Sequence, residues 1–245
     1  MRVELDLVQG LRPVDLAGDD VAVVFDVLRM TTMATALLAA GLRRLWVVAG
    51  VEDARSAAAA RGALLFGERD GVALPGFDGG NSPLEVRSER VAGRDAVLCT
   101  SNGSRAVEGC GSVRVLLGGV VNAGAVARRL RDLAPPRVRL VCAGTDGHVS
   151  CDDAAGAACV VRSLTSSVAG LACDDAAHLV LQALTGAGSA AALVGRAGHA
   201  STLVRLGFGD DVAFAARDDA FDVVPERGPG GGSPFGAAPA AHEPG

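Results

Sequence analysis

The chain alternates between two hydrophobic rhythms. Runs of β-branched and aliphatic residues at 3–7, 21–25, 44–48, 63–66, 96–99, 114–117 and 137–142 predict strands. Stretches rich in Ala and Leu at 31–40, 51–61, 103–109, 123–133, 152–164 and 174–184 predict helices. Strand–helix alternation builds a largely parallel sheet with helices on both faces. The runs around Val21 and Val138 are apolar at every position, as central strands should be. The expectation is a three-layer α/β/α fold with a mostly parallel or mixed sheet. An internal echo links the segment starting at Val21 with the one starting at Ala96, each running strand, polar turn, helix, strand, helix. A duplication would produce this echo, and so would the ordinary rhythm of α/β proteins.

Two segments break the rhythm. Residues 67–88, GERDGVALPGFDGGNSPLEVRS, show no period. A loop this long within a compact domain is usually functional or disordered, and its varied polar residues favour function. From Pro225 the chain reads PERGPGGGSPFGAAPAAHEPG, a composition too poor in apolar residues to offset ordering entropy. The expected division is one domain over 1–225 and a disordered tail over 226–245.

Composition narrows the function. A net charge of −5 and the absence of Tyr argue against nucleic acid as a partner. No apolar run is long enough to span a bilayer, and the N-terminus lacks the apolar stretch of a signal peptide, so a cytoplasmic location without membrane contact is expected. The six cysteines include no C-x-x-C pair and the four histidines no spaced pair, so a zinc site has little support.

Ligands of open α/β sheets bind at the C-terminal ends of strands, and polar residues cluster there. Asp26 follows the apolar run at 21–25, with Arg29 and Thr31 at the next helix start. The carboxylate suits a metal, the guanidinium an anion, and the helix start a phosphate; a turn residue and an N-cap are the plainer alternatives. Leu28 stands where a haloacid dehalogenase would need a second Asp. Glu68 and Arg69 follow the strand ending at Phe66, as a second strand-end pair for the site or as a solvated ion pair. Asn81 and Ser82 lie in a Gly-rich turn near Asp78 and Glu85. Thr100, Ser101, Asn102, Gly103 and Arg105 form an anion cradle without the lysine of a Walker loop. Asp152 and Asp153 open a helix, where they either complement its dipole or complete an oxygen-rich magnesium site with Asp26 and Glu68. His148 lies in the loop before them and suits either a pocket wall or solvent.

Taken in order, FDVLRMTTMATAL, GERDG, GFDGGNSPLE, CTSNGSRA, the lone Asn122, and CAGTDG followed by CDDAAGAACV resemble the 2-phosphosulfolactate phosphatase family. The stretch GHASTLVRLGFGDDVAFAARDDAFDVVP is similar to its C-terminal end. The resemblance implies a three-layer α/β fold and a Mg²⁺-dependent phosphomonoesterase that hydrolyses 2-phospho-3-sulfolactate to 3-sulfolactate and phosphate. In methanogens that reaction serves coenzyme M synthesis. The family usually has Ala where this chain has Met30, and Thr at Ser101 and Ser104; hydroxyls and charges are kept.

These readings combine into one site. Asp26, Glu68, Asn102 and Arg105 are the catalytic candidates. Arg29, Thr31, Arg69, Asn81, Ser82, Thr100, Ser101, Gly103 and Asn122 are the substrate-binding candidates. Asp26, Glu68, Asp152 and Asp153 are the candidate ligands for Mg²⁺. The expected partner is a small anionic phosphoester, with self-association common among enzymes of this type. A non-catalytic small-anion binding protein on the same fold is the alternative. A nicotinamide-dependent dehydrogenase lacks support, because no G-x-G-x-x-G follows the first strand.

Overall fold

The computed structural model describes residues 1–10 and 15–238. Along the chain these residues form β1 (Arg2–Asp6), β2 (Val21–Phe25), α1 (Met30–Ala39), β3 (Arg44–Val48), α2 (Val51–Arg61), β4 (Leu64–Arg69) and β5 (Val72–Ala73). Then come α3 (Ser88–Val91), β6 (Asp95–Cys99), α4 (Gly103–Gly109), β7 (Arg114–Gly118), α5 (Ala123–Leu133), β8 (Arg137–Cys142) and α6 (Cys151–Thr165). The last part holds β9 (Ala172–Cys173), α7 (Asp175–Ala187), α8 (Ala190–Val194), α9 (Gly198–Arg205), α10 (Gly209–Ala215), β10 (Pro225–Arg227) and β11 (Gly236–Ala237).

The strands form two sheets rather than one. The larger runs β11-β10-β7-β2-β8-β1-β9, and the smaller β3-β6-β4-β5. Pairing is parallel except where β10, β11 and β5 add antiparallel edges. Strand β2 shows why both faces of the large sheet are apolar. Val21, Val23 and Phe25 point to one side, against α5 to α8, while Ala22 and Val24 point to the other, against α1 and α4. Strand β6 divides likewise, with Ala96 and Leu98 toward α1 and α4, and Val97 and Cys99 toward α2. Each sheet is therefore the middle of an α/β/α sandwich, and α1 and α4 serve both.

The connectivity repeats. Units β2-α1-β3-α2-β4 and β6-α4-β7-α5-β8 exchange their first strands: β2 lies between β7 and β8, and β6 between β3 and β4, all in parallel. The echo in the sequence is thus matched by interlocked topology.

The expected tail is corrected as far as residue 238. Strand β10 pairs antiparallel with β7, and Phe235 is 1% exposed and exchanges backbone hydrogen bonds with Leu45 of β3. Pro225 is tolerated as the first residue of β10, before the pairing with β7 begins at Glu226. One buried aromatic and two short pairings order a segment that composition alone assigns to solvent. Residues 239–245, with His242, lie outside the described residues.

Candidate active site

Because β2 and β6 end at the same level, with α1 and α4 packed between the sheets, both helix starts meet at one place. Asp26 follows β2 and receives an N–H from each helix: Met30 donates to Oδ1 at 3.1 Å and Gly103 to Oδ2 at 2.7 Å. Only glycine fits at 103, since a Cβ there would lie 2.5 Å from both Asp26 Oδ2 and Met30 Cε. Glu68 ends β4; its Oε1 accepts Ser101 N at 3.0 Å and Ser101 Oγ at 3.1 Å, and its Oε2 accepts Gly71 N at 2.8 Å. The turn between β2 and α1 is held from α6: Val27 N donates to Asp153 at 2.9 Å and Leu28 N to Asp152 at 3.0 Å. Asp153 also accepts Gly144 N at 2.8 Å, and Asp152 accepts the Ser150 hydroxyl.

These carboxylates repel one another. Burial, with the nearby charges of Asp152 and Glu68, pushes Asp26 up to about 7, against the opposing pull of its two backbone N–H donors. Burial, then the charges of Asp152 and Asp26, raises Asp153 well above the usual carboxylate range. Asp152 is also raised, by burial first, with its Ser150 hydrogen bond and the charge of His199 pulling the other way.

Asp26 and Glu68 face a cleft of about 440 Å³. Arg29, Asn81, Ser101 and Asn102 line it too, so six sequence-predicted residues are brought together. Arg29 is 3% exposed; it donates to Asp211 at 2.6 Å and to the Gly71 carbonyl at 2.7 Å, and stacks 4.2 Å over Phe208.

The other predicted residues support the site from outside the cleft. The Thr31 hydroxyl donates to the Asp26 carbonyl at 2.9 Å, and Thr100 pairs with Ser104 at 3.0 Å. Ser82 donates to Asp211 at 2.6 Å. Arg69 is spent on the carbonyls of Glu68 and Ala49. Asn122 is fully buried; it donates to the carbonyls of Leu117 and Val223 and accepts Gly119 N, so it is a brace rather than a substrate contact. Arg105 is exposed on α4 and does not line the cleft, because the turn of the helix carries it outward. Asp78 accepts Leu65 N at 2.8 Å, and Glu85 is exposed.

Sequence reasoning missed the roof. Gly198, His199 and Thr202 of α9 line the cleft, as does Thr145 of the loop before α6; His148, which the sequence left between pocket wall and solvent, lines it too. It also missed Asp211 of α10, 2% exposed, which fixes Arg29 and Ser82 together. The one signal available was the run GHASTLVRLGFGDD, where polar residues interrupt short apolar stretches.

Among the described residues, no three His, Cys, Asp or Glu side chains form a metal-holding group. Mg²⁺ does not require one: it keeps several waters and takes one or two carboxylates. Asp26 and Glu68 fit that demand. They are oxygen donors facing the cleft, and a divalent cation would offset both the burial that raises Asp26 and the neighbouring charges that add to it. Asp152 and Asp153 are less suited, since neither lines the cleft.

Residues 8–228 match the family described as 2-phosphosulpholactate phosphatase. A probable 2-phosphosulfolactate phosphatase of Deinococcus radiodurans is 38% identical over 240 residues, covering 97% of this chain and 98% of the relative. Proteins of the same description from Carboxydothermus hydrogenoformans and Thermotoga maritima are 37% and 33% identical, over 86% and 83% of this chain and 87% of each relative. The chain therefore belongs to the 2-phosphosulpholactate phosphatase family, a family of phosphoric monoester hydrolases.

Proposed function

We propose that this family member is a Mg²⁺-dependent phosphomonoesterase that hydrolyses 2-phospho-3-sulfolactate, or a closely related small phosphorylated acid, to the free hydroxy acid and phosphate. The observation that carries the reading is Asp26, set where two helix starts converge and crowded by Glu68 and Asp152. The names of the relatives supply the substrate. Mg²⁺ held by Asp26 and Glu68 would supply Lewis-acid stabilisation of the phosphoryl oxygens and of the departing alkoxide.

The chain's own residues bind, orient and shelter the ester. Ser101 and Asn102 bring the start of α4 to the floor, where helix N-termini favour phosphate. Arg29 is anchored by Asp211 and Gly71, so its guanidinium enters the cleft with little freedom left to lose. Water, either directly or after attack by the Asp26 carboxylate, delivers its oxygen to phosphorus, the phosphorus–ester oxygen bond breaks, and the leaving oxygen takes the proton that the water gives up to become the product hydroxyl. Six unpaired cysteines suit a reducing compartment, and we place the enzyme in the cytoplasm.

The test is phosphate release from 2-phosphosulfolactate, phospholactate and several sugar phosphates, each with Mg²⁺ and with EDTA. Release that needs Mg²⁺ and is fastest with the sulfonated ester is expected. Folded protein that releases phosphate from none of them overturns the enzyme reading in favour of a small-anion binding protein.

A further inference from the structure

The carboxylates and the start of α4 leave the α9 side of the cleft without a role. Gly198, His199 and Thr202 all face the cleft from the first turns of α9. Positions i and i+3 share a helix face, which sets His199 and Thr202 side by side. No side chain caps this helix, and its first bond runs from Ser201 N to the Ala197 carbonyl at 3.3 Å. The N–H groups of 198–200 therefore lie outside the helical ladder, at the positive end of the helix dipole.

Asn81 supplies an independent observation. It lines the same cleft and is 4% exposed, yet its Oδ1 meets no donor. Among the described residues no hydrogen bond uses its Nδ2 either. Buried amides are almost always partnered, so one left free in a binding cleft is kept for a ligand. Its neighbour Ser82 is fixed to Asp211, and α9 lies over the β4–β5 turn, where a Cβ at Gly71 would meet Leu206 at 2.9 Å and Leu203 at 3.6 Å. Asn81 and the first turns of α9 thus line one cleft.

The chemistry of the two ends selects the ligand. An ester of sulfolactate carries a second strong acid that does not react. It cannot rest beside Asp26 and Glu68. At the roof it meets an imidazole, a hydroxyl, an amide and free backbone N–H groups, while the acids at the rim, Asp70 and Asp146, are exposed to solvent. A sulfonate has three oxygens and uses more donors than a carboxylate.

We propose that Asn81 and the first turns of α9, through His199 and Thr202, form the subsite for the sulfonate of the substrate and set the preference for a sulfonated ester. The proposal rests on the phosphatase reading for its substrate, and its test separates the two. Turnover of 2-phosphosulfolactate is compared with that of 2-phospholactate, which lacks the sulfonate, in the unaltered chain and in Asn81→Leu, His199→Ala and Thr202→Val. Binding of 3-sulfolactate and lactate is measured in parallel by calorimetry. The expected result is that each variant lowers the ratio of kcat/KM for the two esters, about tenfold for Asn81→Leu and His199→Ala, through KM. Thr202→Val, nearly isosteric and on a half-buried side chain, keeps the test valid if the others unfold. His199→Gln, which retains an N–H donor, should recover part of the ratio. A ratio that stays constant across the variants overturns the subsite. A chain that releases no phosphate but binds 3-sulfolactate over lactate in a His199-dependent way loses the phosphatase reading and keeps the subsite. Turnover without preference, with both acids bound alike, does the reverse.

Discussion

At the floor of the cleft, both oxygens of Asp26 and both of Glu68 accept hydrogen bonds from the backbone at helix starts and turns. At the roof, Asn81 has an amide without a partner and α9 begins without a cap. The floor is built from residues that directly follow central strands, and its polar atoms are satisfied before any ligand arrives. The roof comes from short C-terminal helices and a Gly-rich turn, and it holds donors in reserve. Satisfied hydrogen bonds hold a reacting group in place, whereas unspent ones suit recognition of a ligand.

Breaking the floor should have the largest effect. Asp26→Asn removes the carboxylate on which both helix starts converge, and turnover should fall by about 10³-fold or more. Near-normal phosphate release from that variant would sink the assignment. Gly103→Ala forces a methyl against Asp26 and Met30, and a displacement of that order at a reacting group should lower kcat by about 10²-fold. Assay at saturating substrate tests it, with a melting curve to show that the fold survives.

The link between floor and roof runs through Asp211. Asp211→Ala leaves the buried Arg29 charge with only the Gly71 carbonyl and the Phe208 face, and stability should fall by about 3–5 kcal/mol in a denaturant titration. Asp211→Asn, which keeps one acceptor, should lose less. Equal losses from the two would mean that the lost charge, rather than the lost acceptor, carries the effect.

A pH series on metal-free protein sharpens the contrast. The folded chain holds Asp26 near 7, well above its ordinary value of 3.8, so the folded state favours the protonated form. That contribution is complete below about 4 and is lost as pH rises through about 7. The melting temperature should fall across this window, and Asp26→Asn should flatten the fall. The smallest effect is expected at Arg105, which points away from the cleft; Arg105→Ala should change kcat/KM less than about twofold.

The floor was legible in the sequence for a physical reason. Residues such as Asp26, Glu68 and Ser101 stand directly after runs that are apolar at every position, and a buried parallel strand can only deliver such residues to its C-terminal edge. Position along the strand is enough to find them, but not to assign their roles. Asn122 and Arg69 occupy comparable positions, yet they hydrogen-bond to backbone carbonyls outside the cleft. Helix α4 begins at a legible place, but the phase of its first turn sends Arg105 outward.

The amino-acid sequence by itself determined the α/β class, the ends of the central strands, and the family to which the chain belongs, because these rest on local periodicity and ordered motifs. Tertiary structure alone decided that the strands split into two interlocked sheets, that residues 225–238 join them, that Asp211 anchors Arg29, and that His199 and Thr202 line the cleft. Those contacts join residues far apart in the chain, 182 positions in the case of Arg29 and Asp211. No local pattern of hydrophobic and polar positions encodes a partner that chain folding alone brings near.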